Sequence, residues 1–115
     1  MPHVIRAGAA DLMAAWKGLP GGPWRLGNAV ARVEGCFLGR DATSLLVAGV
    51  VIEFGRPVHP HVLVSVRDGS TAVRLWAPVA VERTEAVKRF VVRVARELEA
   101  FGAGPVVTTN LQGLL

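Results

Sequence analysis

The feature that most constrains this chain is a block of four strand-like segments between Ala29 and Ala77, followed by one amphipathic segment at Thr84–Phe101. The four segments carry apolar residues at alternate positions or in short continuous runs, and both patterns are typical of β-strands. The last segment repeats apolar residues every three or four positions, as a helix with one buried face does. We therefore expect a sheet that packs against this helix.

The turn between the third and fourth strands fixes how they pair. Asp68-Gly69 separates two alternating runs, and this dipeptide is typical of a two-residue type I′ turn with positive φ at both residues. Counting from the turn places Val64 opposite Val73 on the core side. The same count sends five side chains to the opposite face: His61, Leu63, Arg67, Arg74 and Trp76.

Two further strands precede this hairpin. In the first, Asn28–Leu38, apolar and polar residues alternate, which is typical of a half-buried strand. Four of its apolar side chains are expected to share one side: Ala29, Ala31, Val33 and Phe37. The second strand, Leu45–Phe54, is apolar almost throughout, and a run of this kind predicts a central strand covered on both faces.

A short helix is predicted before the sheet. Its apolar residues recur at intervals of three and four, and glycine and proline residues then stop it. The stripe consists of Ala9, Leu12, Met13, Trp16 and Leu19. Together the elements predict an α+β fold, a two-layer sandwich in the order helix, four-stranded mainly antiparallel sheet, helix (αββββα). Because each helix has one apolar stripe, we expect both helices on one face of the sheet.

The length and composition are those of one globular domain, residues 1–115. Hydrophobic residues make up 51% of the chain and charged residues 19%, a balance that argues against disorder. We expect loosely ordered ends at residues 1–8 and 110–115, and a short edge strand at Val106–Thr109. The longest apolar run, Leu45–Ile52, is much shorter than the roughly 20 residues of a membrane helix. No signal-peptide pattern is evident, so the expected location is the cytoplasm.

The motifs of catalysis and metal binding give no support for an enzyme. The single cysteine, Cys36, excludes an intrachain disulfide and a multi-cysteine metal site. No serine lies in a nucleophile elbow, and the glycines match neither a P-loop nor a dinucleotide-binding spacing. His59-Pro60-His61 is the only histidine cluster, and no nearby acid or cysteine completes a metal site there. We interpret it as the loop that leads into a strand, and we expect a non-catalytic protein without a cofactor.

The basic charge has two interpretations. A net charge of +4 permits phosphate-bearing partners, although an arginine-rich composition is also typical of GC-rich codon usage. Arg89, Arg93 and Arg96 share the solvent face of the last predicted helix. Glutamates three or four residues away from these arginines favour an exposed, ion-paired helix face over a phosphate-binding stripe.

The outer face of the predicted hairpin is the strongest candidate for a binding function. It carries Trp76, Arg74, Arg67, His61 and Leu63, and no acid. Because Trp and Arg are enriched at protein interfaces, we interpret this face as the interface of a homodimer that covers Trp76.

The same face leaves two alternatives open. Aromatic rings beside arginines on an open sheet also bind single-stranded nucleic acid, which is the first alternative. The order of four strands and then a helix is similar, in topology only, to that of the Whirly and transcriptional-coactivator class of single-strand binders. A small-molecule-binding or enzymatic domain of unknown chemistry is the second alternative.

Overall fold

The computed structural model describes residues 1–115 and shows a chain that is mostly sheet. The eight strands are β1 His3–Ala7, β2 Trp24–Leu26, β3 Ala29–Leu38, β4 Ser44–Glu53, β5 Arg56–Val58, β6 His61–Arg67, β7 Ser70–Leu75 and β8 Val106–Thr109. The helices are α1 Leu12–Gly18 and α2 Glu85–Glu97, and short 3-10 turns follow at Leu98–Phe101 and Gln112–Leu114.

All eight strands belong to one antiparallel sheet. Its order is β2-β3-β4-β6-β7-β1-β8, and β5 pairs with β4 beyond the end of β6. The long helix α2 contacts β2 at one edge of the sheet and also β1 near the other edge. Because one helix contacts strands so far apart in the sheet, the sheet curls around α2 as a half-barrel. Neither helix is long and apolar enough to cross a bilayer.

The predicted αββββα sandwich is therefore wrong. The sheet has eight strands instead of four, and it curls around the long helix instead of lying flat beneath two helices. Two of the strands that were not predicted, β2 and β5, have only three residues each, too few to show an alternating pattern. The more general prediction, that helices combine with an antiparallel sheet, is correct, because the sheet is accompanied by one long and one short helix.

The third strand that was not predicted, β1, lies inside the sheet. It pairs with β7 on one side and with β8 on the other, and Val4 is fully buried. The backbone N–H of His3 donates to Asn110 Oδ1 at 3.0 Å, and Leu111 is only 5% exposed. Residues 3–7 are thus a paired strand, and the segment at Asn110 and Leu111 is held against the sheet.

The hairpin of β6 and β7 forms as predicted. Asp68 and Gly69 have φ values of 51° and 75°, as a type I′ turn requires. Val64 pairs with Val73, and Leu63 pairs with Arg74. The core side of these strands holds the fully or almost fully buried Val62, Val64, Val73 and Leu75, which confirms the predicted division into two faces.

The helix α2 also follows the predicted stripe. Thr84 caps it, accepting a hydrogen bond from the backbone N–H of Val87 at 3.2 Å, and Phe90 and Leu98 are fully buried. The stripe predicted for α1 is wrong in part. Asp11 is its N-cap and accepts from the N–H of Ala14. With the helix started there, Leu12 and Ala15 face the core, whereas Met13 and Trp16 are 43% and 46% exposed.

A bulge in β3 changes which side chains face the core. The pairing with β4 shifts between Val33 and Gly35, and one extra residue in a strand exchanges its two faces beyond that point. Ala29, Ala31 and Val33 are on the core side as predicted, but Phe37 is not. Beyond the bulge Cys36 and Leu38 pack against the core, and Phe37 points to the outer face with 60% of its surface exposed.

Candidate functional site: the outer face of the sheet

The outer face is the side of the sheet that points away from α2. The pairing registers place its side chains in rows that cross the middle strands. The central row runs from β3 to β1 and consists of Phe37, Leu46, Leu63, Arg74 and His3. One neighbouring row consists of Gly35, Ala48, His61 and Trp76. The other consists of Ser44, Ser65, Ala72, Ile5 and Thr108.

Several apolar side chains on this face lie in water in the single chain. Both helices contribute their buried residues to the core cluster on the opposite side of the sheet. Phe37 is 60% exposed, and Ile52 is 45% exposed. Leu46 and Leu63, which stand between Phe37 and Arg74, are half-buried. The face thus presents a contiguous apolar strip where a central strand was expected to be covered on both sides.

Trp76 and His61 form the aromatic part of the predicted site. Their ring centroids are 6.3 Å apart at an interplanar angle of 47°, within the range of favourable aromatic pairs. The backbone N–H of Trp76 donates to the carbonyl oxygen of His61 at 2.8 Å, which fixes Trp76 next to His61 just beyond β7. Trp76 is half-buried.

The charged groups of the outer face are mostly basic. Arg74 is exposed, and together with His3 it borders an open depression of about 280 Å³ that Met1 and Ile5 complete. Arg67 lies at the hairpin end, where its Nε is 3.7 Å from Asp68 Oδ2 and both side chains are almost fully exposed. An ion pair exposed to this degree contributes little to stability.

Another acid, Glu34, lies at the margin of the outer face, beside the β3 bulge. Glu34 Oε1 lies 3.1 Å from His59 Nδ1, and Glu34 Oε2 lies 4.0 Å from Arg32. This interaction joins β3 to the loop between β5 and β6. The apolar strip therefore has basic groups at its β7–β1 end. Near its β3 end it has a cluster of acidic and basic side chains, Glu34 with His59 and Arg32.

The structure brings together four of the five predicted site residues. His61, Leu63, Arg74 and Trp76 are neighbours on the outer face, whereas Arg67 lies at its end. Sequence reasoning missed Phe37, which was assigned to the core. The signal that could have found it is Gly35, since a glycine inside a strand often marks a bulge.

Metal-binding and nucleophilic groups do not gather at this face. No group of three or more His, Cys, Asp or Glu side chains has an arrangement that could hold a metal ion. His61 Nδ1 lies 3.1 Å from the carbonyl oxygen of His59, so that these two histidines interact through the backbone. Burial raises the pKa of the Cys36 thiol, which disfavours the reactive thiolate.

Comparisons with protein families, with curated proteins and with solved structures found no match to this chain.

Proposed function

We propose that this chain is a non-catalytic interaction domain that forms a homodimer through the outer face of its sheet. The observation that carries the proposal is the apolar strip centred on Phe37, Leu46 and Leu63, which no element of the chain covers. Burying such a strip releases roughly 25 cal/mol for each Å² of apolar surface removed from water. The cytoplasmic location expected from the sequence is part of the same proposal.

The size of the outer face suits a second copy of the chain. The molecule extends over 39 × 27 × 25 Å, so one face can supply the roughly 800 Å² per partner of a typical stable interface. In a two-fold dimer each copy presents the same surface. Because the sheet curves away at its edges, contact would centre on β3, β4 and β6, with Trp76 at the border and Arg74 in the polar rim.

A charge placed in the apolar strip is expected to separate the dimer. In Phe37→Glu, a carboxylate would have to lose its water at the centre of the interface, which is costly without a partner charge. The matched control is Phe54→Glu, because Phe54 is 82% exposed and lies in the turn between β4 and β5, outside the strip. The mass of each variant is measured by light scattering after size exclusion at tens of micromolar.

We expect wild type and Phe54→Glu to have the mass of a dimer and Phe37→Glu that of a monomer. Trp76→Glu should shift the population in the same direction as Phe37→Glu. A monomeric wild type at this concentration would reject the proposal. So would a Phe37→Glu protein that stays dimeric.

Single-stranded nucleic acid is the second candidate partner of this face. The observation that favours it is Phe37, which adds an exposed aromatic ring to the face that holds the half-buried Trp76, while Arg74 supplies positive charge. Bases stack on such rings, and basic groups hold the phosphates.

Fluorescence anisotropy with a labelled single-stranded oligonucleotide tests this candidate. Trp76→Ala should weaken binding by about tenfold, since stacking on one aromatic ring contributes about 1–3 kcal/mol per base. Trp16→Ala is the matched control, because Trp16 is exposed but lies on α1. Affinity should also fall steeply with salt. Equal affinity of Trp76→Ala and Trp16→Ala for the oligonucleotide would argue against nucleic acid as the partner of this face.

A further inference from the structure

We propose that a pocket between β2 and α2 binds a phosphate monoester. The pocket lies on the side of the molecule opposite to the outer face and has a volume of about 130 Å³. Its lining consists of Arg25, Leu26, Arg89, Val92, Arg93, Arg96 and Leu114. Four of these seven residues are arginines and none is an acid, so the ligand that this lining fits is an anion.

The charges around the pocket do not cancel. Arg89 Nε lies 3.6 Å from Glu85, and Arg93 Nε donates to Glu97 Oε1 at 3.0 Å. These are two of the ion pairs predicted for the helix face. Arg96 forms no ion pair, although Glu99 was expected to provide one, and Arg25 on β2 also has no carboxylate partner. Four guanidinium groups against two carboxylates leave two positive charges, which match a phosphate dianion.

One of the arginines is held in place before any ligand binds. The Arg93 guanidinium lies 5.1 Å from the ring centroid of Trp24, a distance at which a cation and an aromatic face attract. Arg89 Nε is buried and has no hydrogen-bond partner. A buried N–H without an acceptor costs free energy, and the carboxylate oxygen that Arg89 Nε faces, Glu85 Oε2, is 3.6 Å away. Guanidinium groups bind phosphate with paired, parallel hydrogen bonds, so arginine suits this ligand better than lysine.

A second pocket adjoins the first and accounts for the organic part of the ligand. It shares Val92 and Arg96 with the arginine pocket and has a volume of about 190 Å³. Its other lining residues are Val4, Arg6, Ala95, Val106 and Leu115, most of them apolar. An ester whose phosphate lies among the arginines can place a short apolar group across Val92 into this second pocket.

Arg6 adds positive charge beneath the second pocket. Its side chain is on the core face of β1 and is only 7% exposed. It donates from Nε to the carbonyl oxygen of Gly104 and from Nη1 to that of Ala95, at 2.6 and 2.8 Å. No carboxylate forms an ion pair with it. Since a buried charge is screened only weakly by salt, the charge of Arg6 adds to the positive potential on this side of the molecule.

Calorimetric titration of the full chain with hexyl phosphate and with inorganic phosphate tests the proposal. The variant is Arg25→Gln/Arg96→Gln, which removes the two arginines without an acid partner and leaves both helix ion pairs intact. The matched control is Arg40→Gln/Arg56→Gln, which changes the net charge equally at two exposed positions outside the pocket. We expect the pocket variant to bind hexyl phosphate at least about tenfold more weakly and the control to bind it as wild type does.

Hexyl phosphate should bind wild type more tightly than inorganic phosphate, because its chain buries apolar surface in the second pocket. In the wild type, amide chemical shifts should move at Val92 and Arg96 on titration, and this measurement does not depend on any variant. Absence of hexyl phosphate binding would overturn the proposal, as would equal weakening in the control. Equal affinity for hexyl phosphate and inorganic phosphate would overturn the proposal that the second pocket binds the organic group of the ester.

Discussion

Replacing Phe90 by alanine should lower the free energy of unfolding by about 3–5 kcal/mol, one of the two largest effects expected of any single change in this chain. Phe90 is the largest of the fully buried side chains, and it lies at the centre of the α2 face that the sheet encloses. Its ring centroid is 6.3 Å from that of Trp24. Alanine would remove this apolar surface and leave a cavity, because the surrounding strands cannot collapse fully.

The measurement for Phe90→Ala is equilibrium unfolding in urea. The neighbouring Arg89→Ala is the comparison, since its ion pair with Glu85 is partly exposed and pairs of this kind contribute at most about 1 kcal/mol. We expect Arg89→Ala to change stability by well under that value. Equal losses from the two substitutions would show that α2 does not pack along the stripe described above.

Introducing valine at Gly49 should lower the free energy of unfolding by a comparable amount, because it adds atoms to the core instead of removing them. Gly49 lies on the core side of β4, and a Cβ atom there would overlap the Phe90 ring. Overpacking of a core costs typically 1–3 kcal/mol and occasionally more, and the full burial of Phe90 leaves its ring little freedom to move away. We expect Gly49→Val to lose stability by the upper part of that range, or to be unfolded at ambient temperature.

A matched glycine and a double-mutant cycle test this explanation. Gly113→Val should alter stability by less than about 0.5 kcal/mol, because a Cβ at Gly113 meets nothing within 4 Å. If overlap with the ring is the cause, Gly49→Ala should destabilise Phe90→Ala less than it destabilises wild type. Simple additivity of the two substitutions would contradict the close approach of Gly49 to Phe90.

The parts of the fold that could be predicted are those encoded by short stretches of sequence. Asp68-Gly69 specifies its turn because both positions favour positive φ, and the register of β6 and β7 follows by counting. The caps and apolar stripe of α2 likewise lie within about 20 residues of one another. In both cases the local preference agrees with the final packing, so that the local pattern was sufficient.

The remaining strands could not be predicted because their identity depends on distant partners. β1 has few residues, and one of its core-facing side chains is Arg6, so its pattern resembles that of a polar end. Arg6 is acceptable there because the carbonyl groups of Ala95 and Gly104 receive its hydrogen bonds. Those acceptors lie about ninety residues further along the chain, where no local pattern reveals them.

Only part of the candidate site could be predicted, because the rest of it also depends on partners that are distant in the sequence. The hairpin count placed His61, Leu63, Arg74 and Trp76 correctly on the outer face. The contribution of β3 depends on a bulge, and a bulge of one residue reverses the direction of every later side chain. The arginine pocket needs Arg25 from a three-residue strand beside α2, a proximity that only the curled sheet creates.

The position of β1 between β7 and β8 also determines when this edge of the sheet can close during synthesis. His3 pairs with Arg74, and Val4 pairs with Thr109, so β1 gains its two neighbours only after β7 and β8, both far along the chain, have been synthesised. Contacts this distant in sequence close slowly. Until β1 is inserted, β7 keeps an open edge that can pair with other chains. Once β1 has paired with β7, the open edge of the sheet is that of β1, and it stays open to other chains until β8 covers it.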